Sequence, residues 1–85
     1  MINILVFFLG ENISITINDG EISIDSKTNI HNETIKSIYS ECLASYSPAD
    51  GFFGKYMAME LVKYGAQILK VSDPQEDEGE ENTVY

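Results

Sequence analysis

Eighty-five residues, 44% of them apolar, allow one small domain with a real core, and a chain of this size buries only about 60% of its unfolded surface, so a partner or a second copy is expected to add stability. Fourteen acidic side chains face five lysines and no arginine, for a formal net charge of −9, which argues against a direct grip on a nucleic-acid backbone, normally the work of clustered Lys and Arg. Cys42 is the single cysteine, which excludes an internal disulfide framework and fits a reducing compartment, the cytoplasm being the expected location.

Residues 2 to 9 are an almost unbroken apolar run ended by Gly10. The run is far short of the roughly 20 residues that cross a bilayer, and no basic segment precedes it, so it reads as a buried strand and not as a signal peptide or membrane span. One of its two faces, either Ile4, Val6 and Phe8 or Leu5, Phe7 and Leu9, lacks a cover within so small a domain. Next, Ile13, Ile15 and Ile17 alternate with polar residues, and after Asp19-Gly20 the alternation resumes at Ile22 and Ile24. Asp-Gly between alternating runs is a strong signal for a two-residue hairpin turn, and this register puts every isoleucine on one face.

The period then changes to three and four. Ile35, Ile38, Tyr39, Cys42, Leu43 and Tyr46 form one stripe of a helix over about 31–46, with Asn29 or Asn32 as cap. Ser47-Pro48-Ala49-Asp50 reads as a variant capping box opening a second helix whose core face is Phe53, Tyr56, Met57, Leu61 and Tyr64, with Gly65 at its end. Ala66 to Val71 is a last strand. The order βββααβ predicts an α+β domain over residues 1–72: a four-stranded mixed sheet in the order 3-2-1-4, the fourth strand parallel to the first, with both helices on the isoleucine face. Residues 73–85 contain six acids, no lysine and no apolar residue before Val84, the composition of a disordered acidic tail.

The inventory for chemistry is thin. His31 and Cys42, on one helix, stand about 16 Å apart, too far to share a zinc or to form a nucleophile–base pair. Cys42 then reads as a small core residue and His31 as a surface residue at a helix start. Ala49 to Tyr56 echoes a phosphate-binding loop but lacks its first glycine and its Ser/Thr. In the tail, Glu78 and Val84 stand where a calcium loop needs Gly and an acid. No catalytic, cofactor-binding or metal-binding residue is assigned.

A non-catalytic interaction or regulatory module is therefore expected. In its narrower form it inhibits a basic nucleic-acid-handling protein in the manner of an immunity protein, an antitoxin or an anti-defence protein, its carboxylates occupying a surface meant for phosphate. The expected partner is a basic protein, alongside a homodimer, with neither nucleic acid nor membrane bound directly. Contact is expected through Phe52, Phe53 and Gly54 and through Glu76, Asp77, Glu78, Glu80 and Glu81. The alternative is a small-molecule-binding protein or an accessory subunit of an enzyme, with a pocket between sheet and helices near Phe52.

Overall fold

A computed structural model describes residues 1–73. Its elements are β1 (Ile2–Phe8), β2 (Glu11–Asn18), β3 (Glu21–Asp25), α1 (Asn29–Ser45), one 3-10 turn (Pro48–Asp50), α2 (Phe53–Lys63) and β4 (Gln67–Ser72). The sheet order is β3-β2-β1-β4, as the segment pattern implies. Every neighbouring pair is antiparallel, however, so the expectation of a mixed sheet with β4 parallel to β1 is corrected. The reason is a matter of parity. A crossover through one helix returns the chain to the start of the sheet, whereas two successive helices bring it back to the end where β3 finished. β4 must then run opposite to β3, and hence opposite to β1.

Both hairpins of the meander close through two residues at positive φ, the geometry that matches strand twist. Asp19 (φ 52°) and Gly20 (φ 81°) make the turn read from the sequence; Leu9 (φ 55°) and Gly10 (φ 82°) make the other. The predicted register holds, with Ile17 opposite Ile22 and Ile15 opposite Ile24.

The start of α1 differs from expectation, because its cap is Thr28, whose hydroxyl accepts from the His31 backbone N–H, and neither Asn29 nor Asn32. The Ser47–Asp50 capping box does form, with the Ser47 N–H donating to the Asp50 carboxylate at 3.0 Å, but it caps only the single 3-10 turn. Gly51 (φ 91°) then breaks the path, and α2 begins at Phe53 with no side-chain cap from its own segment. The cap comes instead from the far end of β4. Asp73 is only 3% exposed, and its carboxylate accepts from the Gly54 N–H at 3.0 Å. A carboxylate here satisfies an orphan donor and also meets the positive end of the helix dipole.

The core lies between one sheet face and both helices. Ile4, Val6, Phe8, Ile13, Ile15 and Ile17 meet Ile35, Ile38, Tyr39, Cys42, Met57 and Leu61. Phe53 and Tyr56 pack against this cluster from its margin, while Tyr64 lies outside it because α2 ends one residue earlier. Among the described residues no helix is long and apolar enough to cross a membrane.

Candidate functional site

The sheet has a covered face and an open one, and strand alternation decides which side chains reach each. With Ile4, Val6 and Phe8 turned into the core, Leu5 and Phe7 stand on the open face, 38% and 45% exposed. Two backbone irregularities add to them. The β1–β4 register passes from Leu5↔Lys70 to Val6↔Ile68, which leaves Leu69 as the extra residue of a β-bulge and 47% exposed. Leu9, equally exposed, occupies the left-handed region that Asn, Asp or Gly ordinarily fills in such a turn. Folding gains little from either placement, and both set a large apolar side chain in solvent.

Polar residues frame this patch. One cross-sheet row reads Lys70, Leu5, Ser14, Asp25 from β4 to β3, and the adjacent row sets Phe7 between Gln67 and Asn12. At β3 the row through Leu5 ends on an acid, Asp25, whereas Glu21 and Asp19 lie toward the opposite end of the sheet from Phe7 and Leu9. Both edges resist pairing with another strand, β4 through its bulge and Lys70, β3 through its shortness and terminal acids. The face is therefore a more accessible surface than either edge.

Other features serve the fold. His31 is half-buried and pairs through Nδ1 with the carboxylate of Glu11, which also accepts from the Lys27 backbone N–H at 3.0 Å. The hydrogen bond from His31 is the main cause that holds the Glu11 carboxyl below the usual range. This tie joins the start of β2 to the segment leading into α1, a contact over 20 residues that periodicity does not reveal. Cys42 is buried in the core; desolvation, with Glu60 and Glu41 adding to it, pushes its thiol up to about 11, so it is a poor nucleophile. Among the described residues no group of three or more His, Cys, Asp or Glu is set to hold a metal.

The residues named from sequence as contacts do not form one surface among the described residues. Phe52 is half-buried at the N-cap of α2. Phe53 stacks edge-on against Tyr39 and Tyr46, with ring centroids 6.0 and 5.1 Å away. Gly54 is buried, and a Cβ there would stand 3.0 Å from both Ile2 Cγ2 and Asp73 Oδ2, so its smallness is used in close packing within the chain. Glu76, Asp77, Glu78, Glu80 and Glu81 lie outside the described residues. Leu69 went unrecognised in the sequence as a surface feature, and Leu9, placed with Leu5 and Phe7 on one of the two alternative faces of the first strand, went unrecognised as a turn residue. Leu-Gly between two strand runs is a turn signal for the second of them; the bulge that exposes the first leaves no local mark.

Comparison of the chain with protein-family models, with curated proteins and with solved structures finds no match in any of the three.

Proposed function

We propose that this chain is a non-catalytic interaction module that binds a basic protein across the open face of its sheet, and that it acts by occupying a surface its partner uses for phosphate. The observation that supports this reading is the group Leu5, Phe7, Leu9 and Leu69, with Leu9 held at positive φ, Leu69 set out by a bulge, and the carboxylate-bearing Asp25 in the same cross-sheet row as Leu5. An outlier that gives the fold nothing points to use elsewhere, and an apolar centre with a charged border is how specific interfaces are built. The net charge of −9 adds long-range attraction to a basic partner.

The test is affinity capture from a native lysate with the wild-type chain and with Phe7→Asp, a change at an exposed site that leaves the core intact. A basic protein retained by the wild type, released by salt and lost with Phe7→Asp supports the proposal. Equal capture by both chains removes the open face from it.

A second reading is favoured by one observation. Lys70 and Asp25 end the same row, three strand spacings or roughly 14 Å apart, so two copies packed face to face about a two-fold axis exchange opposite charges at both ends. This predicts a dimer by light scattering that Lys70→Asp dissolves and the double variant Lys70→Asp, Asp25→Lys restores. A monomer at high micromolar concentration overturns it.

A further inference from the structure

Beside Leu5, where the open face meets the segment leading to α1, lies a concavity of about 310 Å³ lined by Leu5, Glu11, Asn12, Ser14, Asp25, Ser26 and Lys27. Its polar groups divide into two sets. Glu11 is engaged by His31 and by the Lys27 N–H, and the Lys27 charge acts on that same carboxylate. Ser26 is likewise engaged, its hydroxyl bonded to Asn32 and the Thr28 carbonyl. By contrast Asn12, Ser14 and Asp25 make no side-chain hydrogen bond or ion pair among the described residues. They are neighbours by strand pairing: Ser14 stands between Leu5 and Asp25, and Asn12 lies two residues along the same strand, on the same face.

We infer that this concavity is the seat of an arginine side chain from the basic partner, a step that rests on the open-face reading above. The carboxylate of Asp25 and the oxygens of Ser14 and Asn12 are acceptors converging on a space with an apolar wall. A guanidinium is a planar fork of five donors and no acceptor, carried on a methylene stem. Its stem lies along Leu5, as long cationic side chains do on apolar surface, and its fork meets Asp25 in a charge-assisted pair while the remaining donors reach Ser14 and Asn12. Lysine offers a point charge to the same group but does not satisfy three separated acceptors as well. The size suits one long side chain and not a helix or strand, which places the rest of the partner over Phe7 and Leu69.

The probe is N-acetyl-arginine amide, compared with its neutral analogue N-acetyl-citrulline amide, titrated into the labelled chain while backbone amide resonances are followed. Saturable shifts in the millimolar range at residues 5, 12, 14 and 25–27 are expected for arginine, at least fivefold weaker for citrulline. Asp25→Asn is expected to weaken arginine to the citrulline level. Ser14→Lys, which fills the concavity with a cation, is expected to abolish the shifts; both sites are exposed, and a thermal melt checks that each variant folds. Equal shifts for the two compounds, no saturable shift, or shifts spread equally over Glu33, Glu41 and Glu60 overturn the inference. If capture is lost with Phe7→Asp yet persists with Asp25→Asn and Ser14→Lys, the open-face reading stands and the arginine seat falls. If the arginine shifts localise while capture ignores Phe7→Asp, the reverse holds.

Discussion

Leu9 occupies a backbone conformation that costs an ordinary L-residue roughly 1 kcal/mol, and its side chain lies in solvent. Asparagine tolerates that conformation, so Leu9→Asn is expected to stabilise the chain by about 0.5–1 kcal/mol, seen as a rise of several degrees in Tm. The same substitution is expected to weaken partner binding. A variant that is more stable yet binds equally well removes Leu9 from the contact surface. Gly54 is the opposite case, a small residue required by the fold. Gly54→Ala gains up to about 1 kcal/mol of helix propensity but forces a methyl against Ile2 and Asp73, an overpacking of about 1–3 kcal/mol, so a net loss is expected. Asp73→Ala removes the cap on α2 and is expected to cost about 1–2 kcal/mol. Because the two residues touch, the losses should not add: Gly54→Ala is expected to be milder by at least about 0.5 kcal/mol in the Asp73→Ala background. Strict additivity in denaturant melts would mean that the contact is not tight.

Among the elements, the tie from Glu11 to His31 and Lys27 holds the start of β2 to the approach of α1, and it has a pH signature. The Glu11 carboxyl is lowered from its ordinary value of 4.5, so the folded state binds its proton less readily than the unfolded state does. Its contribution is present above about 4.5 and is lost as the pH falls through the lower folded value. Glu11→Gln is therefore expected to destabilise the chain near neutrality and to flatten the acid side of its stability curve. A curve parallel to the wild type from pH 6 to pH 3 overturns this. The elements also show what a sequence can carry. Alternating isoleucines disclose both faces of β2 and β3, and Asp19-Gly20 discloses their turn, because these signals lie within a few residues. In β1 the alternation is absent, Leu5 and Phe7 being as apolar as Ile4 and Val6, so only the position of the helices tells the covered face from the open one. The same holds for the bulge at Leu69 and the cap from Asp73, consequences of residues far apart in the chain, whereas the direction of β4 follows from the parity of the two helices and was legible in the order of the elements. The open face was thus legible as one of two alternatives.

At the scale of the whole molecule, charge and apolar surface are unequally shared. Residues 1–73 carry nine acids and five lysines, and the remaining twelve residues carry five acids, Glu76, Asp77, Glu78, Glu80 and Glu81, with no lysine. The two parts thus hold −4 and −5, while the exposed leucines and Phe7 belong to the first. Exposed charges act across a Debye length, about 10 Å at 0.1 M salt, and so work on encounter, whereas an aromatic ring seated in a partner works on escape. Replacing the five tail acids with Asn and Gln is expected to slow association with the basic partner by about tenfold at low salt, with little change at 1 M, where the Debye length is about 3 Å. Phe7→Ala is expected to leave association nearly unchanged and to speed dissociation about tenfold or more at either salt concentration. Surface plasmon resonance at the two salt concentrations separates these effects. If the tail variant dissociates faster while its association is unaltered, the tail is itself a docked contact, and the division of labour between charge and sheet face fails.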